Sequence, residues 1–351
     1  MKMDRSVFDP IEANAAKRSA AFADALSRHI YDCRVKYAMN GDIQELVPMI
    51  RENAPLFAGG GQIVREISQA HEVWLFGTGD YGKMIAQLWP MQLCGFLDNA
   101  PDKQGQDLFG HPVCAPEEIC HHPDALVVIT ARQYHVAMKE QLHSLGIAEG
   151  RILDVGGWVE EAIYPSIYFD LPALKQSEEE VFLDVGSYDG ETAELFTDWA
   201  GGNVKQIYCF EPDPANQKKI EARLSAHDDV TIIPKGAWNA ATELHFCADG
   251  KKQSYVSQEG ETVIQVDTID HVLAGERPTF IKMDIEGSEL AALRGAEQSI
   301  RKYRPKLAIS IYHRPEDIFT LPDFILSCHP DYQLYLRHYS LGFFDTVLYA
   351  V

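Results

Sequence analysis

No stretch of this 351-residue chain is long and apolar enough to cross a bilayer. Its opening, Met1-Lys-Met-Asp-Arg, leads into an alanine-rich charged segment rather than the apolar core of a signal peptide, so cytoplasm is the expected compartment. CxxC pairs are missing too. The seven cysteines (Cys33, Cys94, Cys114, Cys120, Cys209, Cys247 and Cys328) mostly lie in apolar or strand-like runs and read as small buried hydrophobes kept reduced. Cys114, Cys120, His121 and His122 crowd together but match no zinc-ligand spacing. Basic residues are scarce: 31 Lys and Arg stand against 52 Asp and Glu, a formal charge of −21. A nucleic-acid backbone needs a basic surface, which excludes that partner and favours a small or neutral substrate. The hydrophobic share, 46%, is that of a folded protein, and the length allows two domains, each with its own core.

What is present is one plan used twice: strand, glycine loop, helix, distal acid. Before its first use, residues 1–70 read as a helical segment. Ile11, Ala15, Phe22, Leu26 and Ile30 form one stripe, Ile43 to Ile50 suggest a short helix that Pro48 weakens, and Gly59-Gly60-Gly61 should break the pattern ahead of a helix from Gln62 to Ala70. Such helices cap a neighbouring domain or form the face of a homodimer. Residues 71–155 then read as a small Rossmann-like domain. The strand His71–Phe76 runs into Gly77-Thr-Gly79-Asp-Tyr-Gly82 and a helix, and the next strand ends in Asp98, 21 positions after Gly77, the usual offset of a ribose-binding acid. Two readings stay open for Gly77, Gly79, Gly82 and Asp98: a nucleotide or nucleotide-sugar site, or a structural turn. Asp80 counts against the first, because it sits where phosphates would rest. Residues 156–179, with Trp158, Tyr164, Tyr168, Phe169, Pro165 and Pro172, read as a connector that packs against both domains or lies over the second site as a lid.

The second use, from residue 180 to 351, carries the chemistry. The run Val181–Asp184 leads to Gly186 and Gly190, and a helical pattern follows from Thr192. The glycines allow a tight turn and close approach of a ligand. One helix later, Phe210-Glu211-Pro212-Asp213 places Glu211 where a doubly wound sheet grips ribose hydroxyls. Asp184, Asp189, Glu191, Glu211 and Asp213 share this strand edge; a pyrophosphate would be repelled there and a cation attracted, which suits the sulfonium of S-adenosylmethionine. A third strand ends at Gly236-Ala237-Trp238-Asn239, where Trp238 offers a plane for a base or anchors the core. Short strands at 242–246, 254–257 and 262–266 form an insertion, Asp267–Asp270 opens a helix, and a longer helix runs from Glu289 toward Pro305. The fourth and fifth strands end in Asp284-Ile-Glu286 and in His313. Parallel neighbours would bring Asp284, Glu286 and His313 to one edge, where they suit deprotonation of a hydroxyl, a divalent metal, or simple bracing of the next helix. Two final β runs, 331–336 and 346–350, would form an antiparallel hairpin.

Taken in order, DVGSYDG (184–190), FEPD (210–213), VDTID (266–270), IKMDIEGSEL (281–290), SIYHRPEDI (310–318) and RHYS with TVLYA (337–350) resemble the FkbM family of S-adenosylmethionine-dependent methyltransferases. The resemblance implies a class I methyltransferase sheet with a reversed terminal hairpin, and O-methylation, often of a sugar or polyketide hydroxyl. It also implies cofactor contacts from Asp184, Gly186, Ser187, Tyr188 and Gly190 to the methionine part, from Glu211, Pro212 and Asp213 to the ribose, and from Ala237 and Trp238 to the adenine. Tyr188 departs from the wider class, where a glycine often stands. Separately, GTGDYG and GFLDN resemble the small nucleotide-sugar-binding domain found beside sugar-modifying enzymes. The fold expected is α/β with two Rossmann-like domains. The leading function is an O-methyltransferase acting on a saccharide or small-molecule hydroxyl. An NAD-dependent oxidoreductase using Gly77–Gly82 and Asp98, and a non-catalytic binding module, are the alternatives.

Overall fold

The computed structural model describes residues 17–51, 54–247, 255–256 and 262–351. The chain divides into two compact units. The smaller holds Asp42–Ile167 and His338–Phe344; the larger holds the chain up to Gly41, Tyr168–Arg337 and Asp345–Val351. These divisions differ from the sequence boundaries at 70 and 155. Helix Ala25–Asn40 belongs with the second sheet because Phe22 bridges to Leu334 and Asp24 pairs with Arg337 at 2.7 Å. The expected stripe from Ile11 to Ile30 is interrupted there, since Asp24 accepts from Ser27 N and starts a new helix (Ile11 and Ala15 lie outside the described residues).

In the smaller unit the strands are β1 (Val73–Phe76), β2 (Leu93–Leu97), β3 (Asp107–Leu108), β4 (His111–Cys114), β5 (Leu126–Ile129) and β6 (Ile152–Asp154), ordered β3-β4-β2-β1-β5-β6. All pairs are parallel except β3 with β4. Runs such as Val73–Phe76 are apolar throughout because helices cover both faces; Trp74, Phe76, Leu97, Val127 and Ile129 form the core with Met138 and Leu142. One expectation is overturned. Helix Ala54–Gln69 runs through Gly59-Gly60-Gly61 without a break. Glycine costs about 1 kcal/mol per helical position against alanine, and tertiary burial, as of Ile67, outweighs that local preference.

The larger unit contains β7 (Glu180–Val185), β8 (Val204–Phe210), β9 (Val230–Ile233), β10 (Gly236–Ala237), β11 (Thr242–Cys247), β12 (Tyr255–Val256), β13 (Thr262–Asp267), β14 (Phe280–Met283), β15 (Lys306–Ser310), β16 (Leu334–His338) and β17 (Thr346–Ala350). Seven of them form one sheet ordered β16-β17-β15-β14-β7-β8-β9, while β10-β13-β11-β12 make a small separate sheet. The pairs from β15 through β9 are parallel, and β17 runs antiparallel to β15. Gln333 and Val351 exchange backbone bonds at 3.0 and 3.1 Å, the antiparallel pattern expected of the terminal hairpin. Phe169, Phe182, Phe196, Trp199 and Phe280 pack as an aromatic cluster against the sheet, with Phe182 and Phe196 stacked at 4.0 Å. The expected single helix from Glu289 toward Pro305 is two, Glu289–Gly295 and Glu297–Tyr303. A Cβ on Gly295 would lie 2.0 Å from Trp238 O, and the Asp270 carboxylate caps Gln298 N and Ser299 N to start the second helix.

Candidate functional site

The strand order reverses between β7 and β14, where Asp184 stands opposite Lys282. Ligands of open α/β sheets settle at such a switch point, beyond the carboxyl ends of the strands. There β7 gives way to the Gly186–Gly190 turn. Gly186 takes φ 84°, and a Cβ on it would stand 2.0 Å from Asp284 O, so the two loops meet backbone to backbone. Tyr188 adopts φ 51°, a left-handed conformation where a glycine would be at ease, which puts its ring 41% exposed with Lys219 Nζ 4.4 Å from the centroid. Glu211, just past β8, is 7% exposed and accepts Tyr188 N at 3.0 Å and Asp213 N at 2.9 Å. Burial pushes its carboxyl above the ordinary value, against the pull of those two amides. Asp213 caps helix Pro214–Arg223, and Asp189 is engaged by Arg223.

Asp184 is placed differently from the sequence expectation. Its carboxylate is fully buried and meets Lys282 Nζ at 2.9 Å, and that ammonium also donates to Gly186 O at 2.8 Å. Burial raises Asp184 against the pull of Lys282, while Asp184 and Asp284 hold Lys282 above its ordinary value although burial would lower it. Asp184 supports the loop through Lys282 rather than facing a ligand, because a side chain with no exposed surface cannot touch one. Ser187 is also buried, its hydroxyl donating to Asp184 O at 2.7 Å. Ala237 is buried and Trp238 half-buried; Trp238 N donates to Asp267 O in the small sheet.

Asp284, Glu286 and His313 do meet. His313 Nε2 lies 3.3 Å from Asp284 Oδ1 and 3.5 Å from Glu286 Oε2, while Nδ1 lies 2.9 Å from Glu289 Oε1. Burial would depress the imidazole, but these carboxylates raise it to about 9, so it is a cation at neutral pH. Asp284 is held below the usual carboxylate range: burial opposes this, and His313, Lys282 and a hydrogen bond from Tyr168 outweigh burial. Tyr168 Oη donates to Asp284 Oδ2 at 2.9 Å from a backbone at φ 75°, a strained conformation for an aromatic residue. Glu286 (φ 55°) and Gly287 (φ 91°) form the turn that follows Asp284.

Sequence reasoning passed over Lys282, Glu289, Asp317 and Tyr168. Lys282 was the most legible, a lysine inside an otherwise apolar strand. Glu289 and Asp317 are buried beside His313, and burial together with Glu289 pushes Asp317 up to about 7. Tyr168 was legible only as one aromatic of the connector, because a stretch with no periodic pattern does not say which of its rings meets Asp284.

In the smaller unit, β1 leads through Gly77 (φ 112°) to helix Asp80–Leu88, capped by Gly79. A Cβ on Gly82 would stand 2.0 Å from Gly77 O, so that glycine is required by strand–helix packing. Asp98 accepts from Thr78 N, Thr78 Oγ1, Ala100 N and Lys103 Nζ. Its carboxylate is thus already committed inside the protein. His121 and His122 both lie beside Glu118.

A seven-stranded sheet ordered 6-7-5-4-1-2-3 by its own strands, with the seventh reversed, is the class I methyltransferase fold, and its carboxyl edge carries Glu211, Asp284 and Glu286. The profile of the methyltransferase FkbM domain matches residues 184–334, and this part of the chain is an FkbM-type methyltransferase domain. Among solved structures, an FkbM methyltransferase from Methylobacillus flagellatus KT aligns over 93% of this chain and 99% of its own, with 22% identity and a TM-score of 0.53, a likeness of fold. Aeropyrum pernix fibrillarin with bound S-adenosyl-L-methionine aligns over 52% of this chain and 71% of its own (12% identity, TM-score 0.36). An rRNA methylase from Streptococcus thermophilus covers 50% of this chain and 87% of its own (15%, 0.34). No curated protein matches the chain in sequence. No helix among the described residues is long and apolar enough to cross a membrane.

Proposed function

We propose that the larger unit transfers a methyl group from S-adenosylmethionine to a hydroxyl of a saccharide or related small molecule. The observation that carries the reading is Glu211 beside the switch point, nearly buried and held by two backbone amides next to an acid-rich loop. The donor set fits that cofactor. Glu211 suits a ribose diol, and Lys282, the cation at the loop, is neutralised by Asp184, so the edge favours a positive ligand. When bound, the cofactor supplies an electrophilic methyl group on a sulfonium. Glu211, Pro212 and Asp213 hold the ribose side, Gly186–Gly190 the methionine side, and Ala237–Trp238 the adenine.

Asp284, Glu286 and His313 face the acceptor. A hydroxyl acceptor would have to give up its proton on methylation, and ionised Asp284 would take it. His313, already protonated, stabilises Asp284 and orients the hydroxyl rather than acting as the first base. Neutral hydroxyl acceptors suit a chain of formal charge −21. The smaller unit is assigned no hydride chemistry, since Asp98 is already bonded by Thr78 and Lys103.

The test is calorimetry of the full chain with S-adenosylmethionine, its thioether product and NAD, followed by incubation with labelled methyl donor and glycan extracts. Binding of the first two and label in saccharide are expected. A folded protein that binds neither sulfur compound overturns the reading.

A further inference from the structure

The geometry points to a divalent-cation site formed by His313 Nε2, Asp284 and Glu286, with Glu289 as the carboxylate that orients the imidazole from its other side. The His313 side chain is 7% exposed, and neither ring nitrogen has a hydrogen-bond partner, although Nε2 faces two carboxylate oxygens and Nδ1 a third. Those oxygens stand 3.3 and 3.5 Å away, beyond the usual range of an N–H···O bond. They are close to the spacing of neighbouring donors around one ion, since ligands at 2.0–2.1 Å in an octahedron lie about 3 Å apart. Donor atoms of Asp284, Glu289 and His313 all fall within 4.8 Å of one another, which makes Glu289 a further donor at the cluster, and Glu286 joins it through Nε2 alone.

The remaining ring nitrogen supports the same assignment. Metal-bound histidines give their second nitrogen to a carboxylate, which sets the tautomer and ring orientation. Nδ1 lies 2.9 Å from Glu289 Oε1, and Glu289 is wholly buried, its Oε1 bonded to Ile285 N and its Oε2 without a hydrogen-bond partner. Three carboxylates therefore surround one imidazole, and Lys282 is engaged by Asp184. Oxygen donors with a single nitrogen and no sulfur select a hard ion such as Mg²⁺ or Mn²⁺. Binding would displace the proton that His313 carries at neutral pH and take Asp284 out of the role of base, the ion then holding and acidifying the acceptor hydroxyl; that use rests on the proposed methyl transfer, and the site itself does not.

The experiment is titration of Mn²⁺ into the metal-stripped full-length protein, read by the paramagnetic resonance of free ion and by calorimetry. One saturable site is expected. Asp284→Asn and His313→Gln should each weaken it at least about tenfold, and Glu289→Gln by about 10–100-fold. Glu149→Gln, an exposed carboxylate of the smaller unit, should leave it unchanged. Near-UV circular dichroism confirms folding, and His313→Gln carries the test if Asp284→Asn does not fold. Absence of a saturable site, or equal affinity in the cluster variants because Mn²⁺ spreads over the acidic surface, overturns the proposal. Mn²⁺ binding without S-adenosylmethionine binding would sink the methyl-transfer reading and support the cation site; the opposite pattern would sink the cation site alone.

Discussion

Gly186 is subject to two demands at once. Its φ of 84° is costly for any side chain, and a Cβ would stand 2.0 Å from Asp284 O. Gly186→Ala is therefore expected to lose about 2 kcal/mol or more in urea unfolding. A loss within about 0.5 kcal/mol, the level of an ordinary surface change, would show that the two loops can part. Glu211 makes a different kind of demand. Charged hydrogen bonds of about 1.5–3 kcal/mol link it to the ribose in the proposed complex, so Glu211→Ala should weaken S-adenosylmethionine binding about ten- to a hundredfold. Because burial raises its carboxyl above the ordinary 4.5, wild-type affinity should begin to fall at a pH above that value as the solution is acidified. Calorimetry between neutral and mildly acid pH reads both effects.

Among elements, the junction of β13 with helix Ile269–Leu273 depends on one carboxylate. Asp267 is 2% exposed and bonded by Lys235 Nζ, His271 Nδ1 and Thr268 N; burial opposes its charge, and these partners hold it down to about 2. A folded value below the unfolded 3.8 stabilises the protein above about pH 4 and loses that effect as pH falls through about 2. Asp267→Asn should cost about 1–2 kcal/mol at pH 7, less than the full shift because Lys235 is partly exposed, and the difference should shrink toward pH 3. Urea midpoints across that range check it. The same elements show where sequence was legible. Strand ends were, because Val181–Leu183 and Phe280–Met283, apart from Lys282, are apolar runs that stop at Asp184 and Asp284. Asp284, Glu286 and His313 followed, since adjacent parallel strands must deliver their next residues to one edge. Helix limits were not: Gly59–Gly61 stays helical because tertiary burial outweighs propensity, and the break at Ala296 depends on Trp238 and Asp270, both distant in sequence. Lys282 and Tyr168 were missed because their partners become visible only when three elements are assembled.

At the scale of the whole molecule, a ligand that binds one unit should mark it in an unfolding trace. At a concentration of S-adenosylmethionine a hundred times its dissociation constant, the larger unit should gain about 2.7 kcal/mol. Differential scanning calorimetry should then show one transition moving upward and the transition of the smaller unit staying in place, provided the two units melt separately. Movement of the smaller unit's transition alone would put the ligand at Gly77–Gly82 instead.

The covalent path of the chain decides how the parts can be separated. It leaves the larger unit after Gly41, returns at Tyr168, and makes a second, brief excursion over 338–344. A truncation beginning near residue 170 would discard Phe22, Asp24, helix Ala25–Asn40 and Tyr168 together, uncovering Leu334, stranding Arg337 and leaving Asp284 without its phenol. The methyltransferase half is thus a guest-bearing host rather than a bead on a string. Isolating it calls for excision of 42–167 and a new peptide joining the cut ends, because no single cut releases it whole.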